Sequence, residues 1–101
     1  MAVLTSNENV QRLERLGMQA LRSRSFVKAE AIFREQLAML KDYRYVDELS
    51  LAITFNNLAL ALELQGKNQR AENLRRASLQ IAAEKLTSVP YILPPISLIA
   101  V

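Results

Sequence analysis

Leu13-Glu14-Arg15-Leu16-Gly17, followed by Ala29, Phe33 and Leu40, returns in weakened form 42 residues later as Phe55-Asn56-Asn57-Leu58-Ala59, followed by Gly66, Ala71, Leu74 and Ile81. Self-similarity at a fixed period is the mark of a repeat array, in which each unit buries its apolar face only against its neighbour. Both copies carry apolar residues at helical spacing, and neither shows the alternation of a strand. The fold class that follows is all-α, with two antiparallel helix-turn-helix units.

Working outward from the repeat, Thr5-Ser6-Asn7-Glu8 has the spacing of a capping box, so a first helix starts after Thr5. Its apolar positions are Val10, Leu13, Leu16, Ala20 and Leu21. Ser23-Arg24-Ser25 breaks the pattern, and Ser25 is a candidate cap for a second helix from Phe26 to about Asp42, whose stripe is Ala29, Ile32, Phe33, Leu37 and Leu40. So short a connection makes the two helices antiparallel. After Tyr43-Arg44-Tyr45-Val46, Asp47 can cap a third helix that runs to Gln65. That helix is apolar on most sides, which predicts a central position flanked on several faces. Gly66 supplies a left-handed residue to end it, and Asn68 can cap a fourth helix from Gln69 to about Leu86.

These residues resemble the tetratricopeptide repeat (TPR) family, in the variety with 42-residue repeats found in kinesin light chain and in many bacterial proteins. Leu13, Leu16-Gly17, Ala20, Phe26, Ala29 and Phe33 meet the family pattern in the first copy; Phe55, Leu58-Ala59, Leu62, Gly66 and Ala71 meet it in the second. Ala29-Glu30 and Ala71-Glu72 open the second helix of each unit. The resemblance covers residues 8–86 and implies a fragment of a right-handed α-α superhelix. Apart from the family, small residues at Gly17, Ala20, Ala29, Ala59 and Ala71 let antiparallel helices approach closely while Leu and Phe fill the wider gaps. Arg75 departs from the pattern where the first copy has Phe33, and Gln36 and Ser78 replace expected alanines.

The resemblance further implies a concave groove lined by the first helix of each repeat. Here that is Gln11, Arg15, Met18 and Arg22 from the first copy and Ile53, Asn56, Asn57, Leu60 and Leu64 from the second. Asn57 matches the family position whose amide pairs with the backbone of a bound peptide, a task suited to a group that both donates and accepts without charge. Two readings stand for Asn56 and Asn57: groove contacts, or ties between neighbouring helices or to the loop around Tyr43. Arg15 and Arg22 either clamp a carboxylate or are solvated.

Composition bounds the chemistry. The 101 residues contain no cysteine and no histidine, which removes thiolate metal sites, disulfides, thiol nucleophiles and imidazole acid-base catalysis. Glu35 and Glu63 have no sequence neighbour that marks a tuned catalytic pair, and no phosphate loop or metal-ligand spacing occurs. An enzyme, a metal and a cofactor are therefore not expected. Residues 1–66 hold eight basic and eight acidic side chains, and residues 67–85 hold five against two, so the net charge of +3 sits on the last helix. No aromatic residues interleave with those charges, and nucleic acid is not indicated. No apolar run reaches spanning length and no signal-peptide pattern opens the chain, so neither a membrane nor secretion is expected and a cytoplasmic location is the default.

Residues 1–86 read as the helical domain and 87–101 as a tail of different character. The tail is uncharged, contains all three prolines, and carries Tyr91, Ile92, Leu93, Ile96, Leu98 and Ile99. Proline forbids a continuous helix there and favours an extended path. Two repeats fall below the usual minimum of about three, so the tail is expected to pack on something: the exposed face of the third and fourth helices, a second copy of the chain, or a partner. Two functions follow, a protein-binding adaptor, scaffold or assembly factor, and a homodimer held by the tail.

Overall fold

A computed structural model of the chain describes residues 6–42 and 48–87. These form four helices, α1 (Ser6–Arg22), α2 (Phe26–Lys41), α3 (Glu48–Glu63) and α4 (Asn68–Thr87), and no strand occurs among the described residues. Each helix packs on the next along the chain, α1 on α2, α2 on α3 and α3 on α4. The tail from residue 88, the connector 43–47 and the cap residue Thr5 lie outside the described residues.

The two hairpins turn by the same device. In the first corner Ser25 donates its backbone N–H to the Ala20 carbonyl at 2.8 Å and Arg24 donates to Leu21 at 3.0 Å. In the second, Lys67 donates to Leu62 at 2.9 Å and Gly66 to Glu63 at 2.9 Å. Every partner is displaced by 42 residues. This is the Schellman arrangement, which closes a helix by placing one residue in the left-handed region. Gly66 takes that role with φ 81°, as its lack of a β-carbon predicts; in the first corner the role falls to Arg24 with φ 60°.

A second echo joins the helices within each hairpin. Gln36 of α2 donates its side-chain amide to the Val10 carbonyl of α1 at 3.3 Å, and Ser78 of α4 donates its hydroxyl to the Ala52 carbonyl of α3 at 2.8 Å. Donors and acceptors again stand 42 residues apart. The two polar residues that replace expected alanines thus share one job, tying the second helix of a hairpin to the backbone of the first. A third echo is the pair of i,i+4 ion pairs Glu30–Arg34 and Glu72–Arg76.

The core runs through both hairpins: Ala20, Ala29, Phe33, Leu58, Ala59, Ala61, Leu62 and Ala71 form one buried cluster, with Met18, Leu21, Ile32, Leu37 and Leu74 packed on it. Gly17 is buried because α2 presses against it. A β-carbon there would lie 2.6 Å from Cζ and 2.9 Å from Cδ1 of the Phe33 ring, and nearer still to Cε1. In the second hairpin the equivalent pair is Ala59 and Arg75. The Arg75 guanidinium turns out to an ion pair with Glu63, leaving room for an alanine methyl on the facing helix.

Several local expectations are corrected. Ser25 occupies the N-cap position of α2, but its side chain makes no capping hydrogen bond. Asn68 is the first residue of α4 instead of its cap, because the Lys67 carbonyl accepts the first helical bond from Ala71. Helix α3 ends at Glu63, two residues early, as Leu64–Gly66 enter the turn. Leu16 is 40% exposed and outside the stripe expected of it. Finally, α3 is central, packed on both α2 and α4, but it is flanked on fewer faces than expected. Its buried residues Ala52, Thr54, Leu58, Ala59, Ala61 and Leu62 occupy one half of the helix, while Leu49, Ile53, Leu60 and Leu64 on the other half are 36–50% exposed.

Candidate functional site

At 100° per residue, Gln11, Arg15, Met18 and Arg22 fall within an arc of about 60° on α1, and Leu49, Ile53, Asn56, Leu60 and Leu64 within about 80° on α3. The two arcs overlap in register: Gln11 corresponds to Ile53, Met18 to Leu60 and Arg22 to Leu64, while Arg15 corresponds to Asn57, about 20° beyond the edge of the α3 arc. On α1 the arc is polar. Gln11, Arg15 and Arg22 are exposed, and Met18 is half-buried against the core. Arg15, Met18 and Arg22 line one open depression together with Arg12 and Leu16, which Gln11 does not reach. On α3 the positions of Gln11, Met18 and Arg22 are taken by the exposed aliphatic residues Ile53, Leu60 and Leu64, and that of Arg15 by the half-buried Asn57.

Asn56 is exposed and Asn57 half-buried, and neither side chain hydrogen-bonds to another described residue. Their amides are thus not committed to holding α3 against α2 or α4 among those residues; Tyr43 lies outside them. No described hydrogen bond or ion pair links the α1 set to the α3 set. Sequence reasoning missed Leu49, 48% exposed, which extends the stripe by one turn. Its signal was the four-residue step back from Ile53, hidden because α3 was read as apolar all round.

The charged centre of the molecule lies on another side, at the junction between the hairpins. Glu30 of α2, 14% exposed, accepts from Arg34 at 2.9 Å, from the Gln65 amide at 2.9 Å and from the Lys67 ammonium at 3.3 Å. Gln65 also donates to the carbonyls of Phe26 and Ala61 at 3.3 and 3.0 Å. Partial burial pushes the Glu30 carboxyl up, but the hydrogen bonds from Gln65, Arg34 and Lys67 outweigh it and leave the group below its ordinary value of 4.5. Gln65 and Lys67 join α2 to the α3–α4 corner, while Arg34 braces the carboxylate from within α2. A second carboxylate that would make a catalytic pair with Glu30 is not among them, and Glu63 is engaged by Arg75. Among the described residues no three acidic side chains converge as a metal site would require. None of the described helices is long and apolar enough to cross a membrane.

No family model, no curated protein and no solved structure matches the chain.

Proposed function

We propose that this chain is a non-catalytic protein-binding module, a tetratricopeptide-like adaptor, scaffold or assembly factor whose two hairpins present the first helix of each repeat to a peptide or protein partner. The observation that carries this reading is the contrast between equivalent positions. Gln11, Arg15 and Arg22 solvate the outer face of α1, where Met18 packs on the core, whereas Ile53, Leu60 and Leu64 leave the same face of α3 apolar and 36–50% exposed. The first hairpin makes the same corner and the same interhelical tie without such residues, so the aliphatic side chains are not needed for folding the unit. Covering what remains exposed of each would contribute on the order of 1 kcal/mol per residue before ordering costs. Asn56 and Asn57 at the middle of the stripe add uncommitted donors and acceptors, and Arg15 and Arg22 add positive charge on the neighbouring hairpin.

The test is affinity capture from native extract with the full chain in four forms: wild type, Leu60→Asp, Asn57→Ala, and Val27→Asp. Val27 is 71% exposed on α2 and lies off the proposed surface. The first two substitutions should lose a captured protein that wild type and Val27→Asp retain, with helicity unchanged in all four. Equal retention by every variant would refute the assignment, and unfolding of Asn57→Ala would make that amide structural.

A further inference from the structure

We infer that copies of this chain associate head to tail, the outer edge of α1 in one copy seating on the outer edge of α4 in the next, as α3 seats on α2 inside the molecule. This contact stands apart from the binding reading, since it uses the two ends of the array and not the stripe on α3.

The seam between the hairpins defines both halves of the contact. On α3 it is marked by Gln65, which donates to Phe26 and Glu30 of α2, and by Ala61, Leu58 and Thr54 in line with it, all three buried. The facing line on α2 is Phe26, Glu30, Phe33 and Leu37, spaced by the same steps and likewise within an arc of about 60°. Moved by the 42-residue register, the α3 line falls on Arg12, Leu16, Gln19 and Ser23 of α1, and the α2 line on Asn68, Glu72, Arg75 and Leu79 of α4. Among the described residues no helix precedes α1 or follows α4, and both lines stand open. Leu16 is 40% exposed where Leu58 is 1%, and Leu79 is 70% exposed where Leu37 packs on the core. Each end is thus the half of a seam that the other end completes, and joining them lengthens an array otherwise short of the usual minimum of about three units.

The chemistry of the two edges agrees with this seating. In the antiparallel seam Gln65 stands beside Glu30, which sets Leu58 level with the stretch from Phe33 to Leu37. The same seating between copies sets Leu16 level with the stretch from Arg75 to Leu79, and Ser23 beside Glu72. Glu72 is a half-built copy of the Glu30 hub. It pairs with Arg76 as Glu30 pairs with Arg34, but its side chain is 56% exposed against 14%, and among the described residues it lacks the donors that Gln65 and Lys67 bring to Glu30. The next copy offers in their places the hydroxyls of Ser23 and Ser25, in a corner that also carries Arg22 and Arg24, neither of them in an ion pair. The arginines on the α4 side are already neutralised, Arg75 by Glu63 and Arg76 by Glu72. Because the two edges differ, the contact is heterologous: each dimer keeps one open edge of either kind, and assembly continues past it.

Sedimentation of the full-length chain over rising concentration tests this, with circular dichroism to check folding. The wild type should grow past twice the monomer mass. Leu16→Asp and Leu79→Asp, both at exposed sites, should each remain monomeric. An equimolar mixture of the two should form a dimer and stop there, because each variant keeps the edge that the other has lost. Leu60→Asp, on the α3 stripe, should assemble as the wild type does. The inference is overturned by a wild type that stays monomeric at the highest concentration reached, by assembly that survives in either end variant, or by a mixture that stays monomeric, which would mark a symmetric contact. Loss of assembly in Leu60→Asp would overturn it too, placing the contact on α3.

Discussion

Replacing Gly17 by alanine tests the packing argument at its tightest point. Alanine is favoured over glycine inside a helix by about 0.8–1.0 kcal/mol, so on propensity alone Gly17→Ala should stabilise α1. The Phe33 ring opposes it, with Cζ 2.6 Å and Cδ1 2.9 Å from where the new carbon would stand, and the ring is fully buried and hemmed in by the core. Overpacking of this kind costs about 1–3 kcal/mol. The net change is then a loss of between about 0 and 2 kcal/mol, and the sharper quantity is the coupling between the two sites. In a Phe33→Leu background, Cε1 and Cζ are gone and Gly17→Ala should stabilise by about 1 kcal/mol, reversing its sign. The propensity gain is common to both arms and cancels, so the coupling should equal the overpacking cost, about 1–3 kcal/mol. Urea titrations of the four proteins followed by far-UV circular dichroism measure it, and thermal melts check it, since 1 kcal/mol moves the midpoint of a domain this size by about 4–8 °C. Additivity of the two substitutions within about 0.5 kcal/mol, or full stabilisation by Gly17→Ala in the wild type, would refute the claim that the ring is what demands a glycine.

Arg24, exposed and held at φ 60°, pays the left-handed strain that Gly66 avoids; Arg24→Gly should raise stability by roughly 0.5–1 kcal/mol in the same titration, less than the strain removed because glycine also loosens the unfolded chain. Gln36 buries a side-chain carbonyl oxygen that meets no hydrogen-bond donor among the described residues, so Gln36→Met, which keeps the volume, should stabilise by about 1 kcal/mol, whereas Gln36→Ala should destabilise by opening a cavity. Glu30 has a carboxyl held below its ordinary value, so its contribution is fully present above about pH 4.5 and is lost as the pH falls through the folded-state value. Glu30→Gln should therefore cost about 1 kcal/mol at neutral pH, a figure discounted for the half-exposed Arg34 and Lys67, and the difference from wild type should close in acid.

How far these features could be read in advance depends on whether their cause is local in sequence. Four helices and the Gly66 corner were legible because period and a lone glycine between two helical patterns are local signals. The matching corner at Arg24 was not, since arginine carries no preference for positive φ; only the 42-residue register, applied to the backbone, points to it. Gln36 and Ser78 stood out as departures from alanine, but their meaning lies in carbonyls 26 residues away, which no local pattern names. The stripe on α3 was half legible. Ile53, Asn56, Asn57, Leu60 and Leu64 were grouped through the family resemblance, yet the expectation of an α3 flanked on several faces missed that half of it stays open, because composition around a helix does not say how many neighbours it has. The Glu30 hub was missed altogether, as its partners Gln65 and Lys67 arrive from the next hairpin.

That the helices pack chiefly on their neighbours in the chain has a consequence for how the molecule acquires its structure. Contacts close in sequence demand little loop-closure entropy, so folding should be fast and should proceed by adding one helix at a time to a formed neighbour. A lesion in one hairpin then propagates, among the described residues, chiefly through the α2–α3 seam, where Glu30 and Gln65 meet. The two halves are coupled as neighbouring links are, strongly across one joint, and opening there would separate the molecule into units that each retain their own corner and their own tie.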